Sequence, residues 1–200
     1  MPINKKSLLL YLLALCLVAG GCSVVQFARL AKCEFEMDRV ADVTWADINM
    51  SNVNGLSDLS VTNMTKAVKA IKNKDFNVYC KVMVKVKNNT KNTARLIGYD
   101  YELYLEDKFL AKGSSHNVEY YIDPSKTATI PIPVQVNIAD VVKKKEVGDI
   151  IRCVKNLNGS GNGKESNVAV KFTPYLYVGK KQMKLPAVTL HQTISSEKSD

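Results

Sequence analysis

The feature that most constrains the fold is a two-residue alternation of apolar and polar side chains in two long segments. In the first, residues 76–87, the apolar positions are Val78, Cys80, Val82, Val84 and Val86. In the second, residues 128–138, they are Ala128, Ile130, Ile132, Val134, Val136 and Ile138. Successive side chains of a β-strand point to opposite faces, so each segment predicts a strand with one buried face.

Further segments indicate additional strands. Extended segments are predicted at 33–48, 94–105, 118–122, 167–178 and 187–194, and a tight turn at 106–108 predicts a hairpin into 109–111. Pro131 and Pro133 cannot donate to a ladder, so the strand that holds them is predicted to lie at a sheet edge or to be interrupted there.

Helical signals are few. A helix capped by Thr62 or Asn63 is predicted to run to Asn73, with Met64, Val68 and Ile71 on its apolar face. A second short helical segment is expected after Ala139. No strand–helix–strand alternation predicts a parallel sheet. We therefore expect about seven strands in a mainly β, antiparallel β-sandwich with one or two short helices.

The N-terminal segment has three parts, as a secretory signal does. Lys5 and Lys6 precede an apolar run of about a dozen residues, shorter than the roughly 20 that span a bilayer. Val18-Ala19-Gly20-Gly21-Cys22 resembles the lipobox of bacterial lipoproteins. That resemblance implies cleavage before Cys22, a diacylglycerol on its thiol and usually an acylated amine. The alternatives are an ordinary signal with a free Cys22, or an uncleaved anchor helix.

The expected organisation follows from this anchor. Residues 1–21 form a lipoprotein signal peptide that is removed, 22–32 a lipidated tether, 33–194 a single β-sandwich domain and 195–200 a disordered tail. Ser23, not Asp, follows the cysteine, which resembles the pattern of outer-membrane lipoproteins. No acidic run follows to suggest surface export, so the periplasmic face is predicted.

Charge argues against a nucleic-acid partner. Without Lys5 and Lys6 the chain keeps 26 basic and 19 acidic residues, a net charge of +7. The lysines are scattered, whereas nucleic-acid-binding proteins concentrate basic residues on one face. A solvated surface is the simplest interpretation, and mild attraction to anionic lipid headgroups is the functional alternative.

No pattern predicts a metal, a cofactor or catalytic residues. Neither His116 nor His191 has ligands at metal-site spacing, and the loop 158–164 lacks residues that a phosphate-binding loop needs. We therefore expect no enzyme activity. Apart from Cys22, three cysteines remain after cleavage, so either one disulfide or three free thiols are expected in a monomer. They are Cys33, Cys80 and Cys153.

Several segments together are similar to the late-embryogenesis-abundant type 2 family, whose domain is called WHy. They are 82–90 (VMVKVKNNT), 94–105 (ARLIGYDYELYL), 108–113 (KFLAKG) and 129–134 (TIPIPV). The family proline is absent at Lys87-Asn88-Asn89, where asparagine still tolerates a turn. The resemblance covers about residues 76–194 and implies an immunoglobulin/fibronectin-III-like sandwich. It also implies a binding or protective role, without shared catalytic residues.

The combined expectation is a lipid-anchored, non-enzymatic protein of the cell envelope. Its partners would be the membrane, through acylated Cys22, and an envelope protein, lipid or glycan that the sandwich binds, or it would stabilise the envelope. The first alternative is a periplasmic small-ligand-binding module with an apolar pocket. The second is a structural accessory subunit with an exposed apolar patch.

Overall fold

The computed structural model describes residues 29–116, 118–140, 142, 146–158, 166–178 and 181–194. Its longer strands are β1 (Cys33–Trp45), β3 (Asn77–Asn88), β5 (Gly98–Leu105), β6 (Lys108–Ser115), β8 (Thr127–Asn137), β9 (Ser166–Val178) and β11 (Val188–Ile194). Its short strands are β2 (Ile48–Asn49), β4 (Ala94–Leu96), β7 (Tyr120–Ile122) and β10 (Lys181–Lys184). The helices are α1 (Val61–Lys72), α2 (Val147–Asn158) and a 3-10 turn, Leu56–Asp58.

These strands form two main antiparallel sheets. The first has the order β2-β1-β3-β8, and the second has the order β10-β9-β5-β6, with β11 also paired to β9. A third, two-stranded sheet joins β4 to β7. If only the seven long strands are counted in chain order, the first main sheet has the order 1-2-5 and the second has the order 4-3-6-7. Fibronectin-III-like sandwiches have this connectivity. The predicted mainly β, antiparallel sandwich is confirmed.

The inner faces of the two sheets share one core. The alternating residues of β3 and β8 lie opposite each other in register, with Val82 beside Ile132 and Val84 beside Ile130. All four side chains are fully buried. From the second sheet, Phe172 packs against Phe35 with ring centroids 5.7 Å apart. The apolar residues of the two-residue alternation therefore lie on the inner face of the sandwich, between the two sheets.

The two ends of the sandwich differ. At the N-terminal pole, Cys33 of β1 lies opposite Asn88 of β3, next to the turns that follow β3 and precede β8. At the other end, the helical pole, the buried Trp45 indole donates to the backbone carbonyl of Asp75 at 3.0 Å, just after α1. Because β1 runs the full height of the first sheet, these poles are about 40 Å apart at roughly 3.3 Å per residue.

Two strand predictions hold in detail. Strand β8, which carries Pro131 and Pro133, is an edge strand of its sheet. The hairpin turn predicted at 106–108 has Glu106 and Asp107 at φ angles of 48° and 60°. Two successive positive φ values give the turn whose twist matches the flanking strands.

Other predictions of local structure were wrong. The single strand predicted at 94–105 is two, β4 and β5, interrupted at Ile97, whose amide donates to Tyr175 O at 3.0 Å. The prediction also missed β10. Helix α1 starts earlier than expected, because the Ser60 hydroxyl, not Thr62 or Asn63, accepts from a helix amide (Asn63 N, 3.2 Å).

The buried face of α1 also differs from the predicted one. Ala67 and Ala70 are buried, while Val68 is 54% exposed. Of the predicted face, Ile71 does pack against the core, so the helix packs through its two small residues and Ile71.

One residue of the predicted tether packs with the sandwich. Leu30, within the predicted tether, is fully buried in the core. The Arg29 carbonyl accepts from Lys32 N at 3.2 Å and from Cys33 Sγ at 3.5 Å, which fixes this turn at the N-terminal pole. The predicted signal peptide, Cys22 and the predicted tail at 195–200 lie outside the described residues.

Candidate functional site

The N-terminal pole is organised by one buried asparagine. Asn88 Nδ2 donates to the carbonyls of Asn92 (2.8 Å), Ile122 (2.8 Å) and Asp123 (3.2 Å). Its Oδ1 accepts from the amide and hydroxyl of Thr90 at 3.0 and 2.8 Å. A buried amide that satisfies so many backbone groups ties neighbouring chain segments together. Asn88 thus joins the turn after β3 to the turn before β8.

Beside this hub, β4 and β7 carry a cationic and aromatic cluster. Arg95 pairs with Glu119, and its guanidinium lies 5.5 Å from the centroid of the Tyr121 ring. Glu119 also accepts from the Tyr121 hydroxyl at 2.8 Å. The hydrogen bonds from Tyr121 and Arg95 hold the pKa of the Glu119 carboxyl below its usual value. The pKa of the Arg95 guanidinium is raised above its usual value, first by its hydrogen bond to Glu119. Tyr177, near the end of β9, is close enough to contribute as well.

A second cluster lies on the outer face of the second sheet, around buried Tyr175. The His116 ring stacks on it with centroids 5.4 Å apart and planes 14° apart. Lys184 Nζ lies 5.1 Å from the same ring and bonds to Asp100 at 2.8 Å. Burial alone would raise the pKa of Asp100, but the hydrogen bond from Lys184 helps keep it below its usual value. This cluster fixes the position of β10 against β5 and β9.

Carboxylates of the β5–β6 hairpin have structural partners. Glu102 bonds to the Tyr104 hydroxyl at 2.6 Å and to Lys171 at 3.4 Å. The Glu106 carboxylate accepts from Asn167 N at 3.0 Å, which closes the β5–β6 turn against β9. Asp107 occupies the turn itself. These contacts stabilise the hairpin and its pairing with β9.

The three cysteines of the described residues are buried free thiols. Burial raises the pKa of Cys33 to about 11, of Cys80 to about 12 and of Cys153 to about 11. The strand register also separates two of them. Cys33 lies opposite Asn88, eight residues along β3 from Cys80, or roughly 26 Å, whereas a disulfide needs Cα atoms within about 7 Å. The disulfide considered from the sequence is not formed in this structure.

The histidines are far from one another in the sheet topology. His116 follows β6 and stacks on Tyr175, while exposed His191 lies in β11 opposite Ala169. Within the described ranges, no group of three or more histidine, cysteine or carboxylate side chains is arranged to hold a metal ion. Most of the glycine-rich loop at 158–164 lies outside those ranges.

Two shallow depressions indent the outer surface. One, of about 390 Å³, lies on the first sheet beside Tyr79, Lys81 and Pro133. The Tyr101 hydroxyl reaches it around the edge of β8 and donates to Pro133 O at 3.1 Å. The other, of about 370 Å³, lies beside Glu102 and Lys112 on the second sheet. Both are open grooves.

Among the helices of the described chain, none is both long enough and apolar enough to cross a bilayer. Helices α1 and α2 have 12 residues each, against the roughly 20 that a bilayer requires.

Comparisons with known proteins give overall likeness only. No family profile and no curated protein matches the sequence. Seven chains of solved structures match the fold. One, from Archaeoglobus fulgidus, is 13% identical, with a TM-score of 0.38, over 82% of this chain and 99% of the other.

Two others are solution structures, of which the first is of a protein from Arabidopsis thaliana. The first is 13% identical, with a TM-score of 0.38, over 60% of this chain and 70% of its own. The second, a candidate late embryogenesis abundant protein, is 15% identical, with a TM-score of 0.40, over 96% and 84%. At these values the matches assign neither a family nor a function.

The sequence did not reveal the N-terminal-pole cluster. Arg95 and Tyr121 are 26 residues apart and meet only because two three-residue strands pair. The sequence did single out Asn88, but only as part of a predicted turn. The structure shows that the side chain of this residue is the centre of the pole.

Proposed function

We propose that the protein is a lipid-anchored, non-enzymatic component of a bacterial cell envelope. In this proposal its WHy-like β-sandwich binds a protein, lipid or glycan or stabilises the envelope, on the periplasmic face of the outer membrane. The chemistry of the anchor is a thioether from Cys22 to diacylglycerol. Two or three acyl chains hold a protein stably because each buried methylene contributes about 0.8 kcal/mol.

The observation that best supports this proposal is the position of Leu30. It is fully buried in the sandwich only eight residues after Cys22. The intervening chain is therefore a short link between a lipobox-like cysteine and a folded domain. A domain on so short a link is suited to acting at the membrane surface.

The test compares wild type with Cys22→Ala, with Cys33→Ala as a matched control. Cells are fractionated, and each chain is followed through membrane, soluble and detergent-extracted fractions after labelling with radioactive palmitate. We expect label and detergent-dependent extraction for wild type and Cys33→Ala and no label on Cys22→Ala. Equal labelling of all three chains, or none on wild type, would contradict the proposal. Affinity capture with the wild-type chain, followed by mass spectrometry, then identifies what the sandwich binds.

A further inference from the structure

Apolar side chains are exposed on the N-terminal pole and the adjoining β9–β10 hairpin. Tyr121 is 59% exposed, Tyr177 is 45% exposed and Met183 is 42% exposed. Tyr121 is the middle residue of β7, next to Ile122, whose carbonyl accepts from the Asn88 side chain. Strands β9 and β10 continue beyond the level of Gly98. Tyrosine rings with one apolar and one wet end are enriched where proteins meet the membrane–water interface.

Basic side chains surround these rings. Outside the Glu34–Lys87 and Asp100–Lys184 pairs, the described charges of the pole are those of Arg29, Lys32, Lys91, Arg95, Lys126 and Lys181, against those of Glu119 and Asp123. The net charge is thus +4, and Glu119 already pairs with Arg95. Within the described part of the chain, no carboxylate pairs with the four lysines. The pole therefore presents free cations around exposed tyrosines.

The length of the link decides which pole can meet the bilayer. Seven residue steps separate Cys22 from Arg29, at most about 24 Å of extended chain. Arg29 is fixed at the N-terminal pole, about 40 Å from the helical pole. For the helical pole to face the leaflet that holds the Cys22 acyl chains, Arg29 would have to lie about 40 Å above that leaflet. The link allows at most about 24 Å. The N-terminal pole always remains near the surface.

We propose that the N-terminal pole is a docking face for anionic phospholipid headgroups of the leaflet that holds the Cys22 acyl chains. This rests on the proposed lipid anchor. Lys91, Lys126 and Lys181 attract the headgroup phosphates, and Tyr121 and Tyr177 insert at headgroup depth. Charge complementarity and the short link act together. The link holds the pole at most about 24 Å from the surface, and electrostatic attraction acts once the cations come within a Debye length of about 8–10 Å.

Helix α1, at the helical pole, is the internal control. It also exposes apolar and basic side chains, including Val61, Val68 and Lys69. Composition alone would therefore favour both poles equally. The geometry of the link favours only one of them, so the two surfaces can be compared within a single chain.

The experiment exploits the burial of the native thiols. Single cysteines are introduced at exposed, uncharged positions: Asn92→Cys at the N-terminal pole and Thr62→Cys on α1. Each full, acylated chain is labelled under native conditions with a fluorophore. It is then reconstituted into vesicles of phosphatidylethanolamine and phosphatidylglycerol (7:3), or of phosphatidylcholine alone, that carry a headgroup-attached nitroxide quencher. The link alone keeps position 92 nearer the surface than position 62. The deciding measurement is therefore how much the quenching at each position changes with lipid charge.

We expect quenching at position 92 to increase at least threefold from phosphatidylcholine to the anionic vesicles and to reverse in 0.5 M NaCl. Quenching at position 62 should change by less than 1.3-fold. The pair Lys126→Glu and Lys181→Glu should abolish the increase at 92. The charge-matched pair Lys66→Glu and Lys108→Glu, at the helical pole, should preserve it.

Two results would overturn the docking face. One is quenching at position 92 that is the same in both kinds of vesicle and at both salt concentrations, as expected if a protein partner covers the pole. The other is an equal charge response at positions 92 and 62. Failure of the anchor is separate, because a chain without acyl chains would not float with vesicles in 0.5 M NaCl. A chain that floats but shows no charge response contradicts the docking face alone.

Discussion

Replacing Asn88 with alanine should destabilise the whole sandwich. The variant loses the buried bond to Ile122 O and the part-buried bonds to Asn92 O and Asp123 O. An unsatisfied buried carbonyl costs about 1–3 kcal/mol, and each part-buried bond, where water can substitute, contributes about 0.5–1 kcal/mol. The free energy of unfolding should therefore fall by about 2–5 kcal/mol, a large share of the 5–15 kcal/mol typical of a domain.

Trp45 provides the assay. It is the single tryptophan, is buried at the opposite pole, and reports global unfolding in urea by its fluorescence. Asn89→Ala, at the exposed neighbouring position, is the matched control and should change stability by less than about 0.5 kcal/mol. Asn88→Asp keeps the shape but turns a carboxylate toward three carbonyls, so it should be at least as unstable as alanine at pH 7. A loss for Asn88→Ala no larger than that of Asn89→Ala would refute the role of Asn88 as the hub.

Three further predictions concern the interior and the sheet surface. Gly98→Ala should cost about 1–3 kcal/mol in urea unfolding, because its Cβ would lie 2.5 Å from the backbone oxygen of Ser115; an unchanged midpoint would contradict that contact. Asp38 has a pKa lowered first by its hydrogen bond from Lys85, so its stabilising contribution is present at neutral pH and is lost as pH falls through the lowered pKa. Thermal melts from pH 7 to pH 2 should therefore show a smaller decrease in Asp38→Asn than in wild type, and identical decreases would exclude the pair. The buried thiols of Cys33, Cys80 and Cys153 should resist a thiol reagent at pH 8 in the folded protein. In guanidinium, three thiols per chain should react, whereas one reactive thiol per chain would indicate a disulfide.

The long strands could be predicted because burial of one face imposes a period of two. Residues 78–86 and 130–138 alternate without interruption, and the structure places both series inside. The edge position of β8 followed from its two prolines, which cannot donate. In each case the property that determines the structure, side-chain alternation or a missing amide donor, belongs to the segment itself. The sequence of that segment is therefore sufficient for the prediction.

Features that depend on long-range packing could not be predicted. The apolar residues of α1 occupy more than one face, and only contact with the sandwich selects Ala67 and Ala70 over Val68. Strands β4 and β7 are too short to show a period, so the pairing that brings Arg95 to Tyr121 was invisible. Leu30 lies in a segment with other apolar residues, among them Val24, Val25 and Phe27, and no period there distinguishes a core position from a linker position.

The most direct test of the lipid anchor is the mass of the N-terminal peptide of the chain purified from membranes. The account predicts that this peptide begins at Cys22 and carries a diacylglyceryl group on sulfur, with the amine usually acylated as well. A peptide with an unmodified Cys22, or one in which residues 1–21 remain attached, would contradict it.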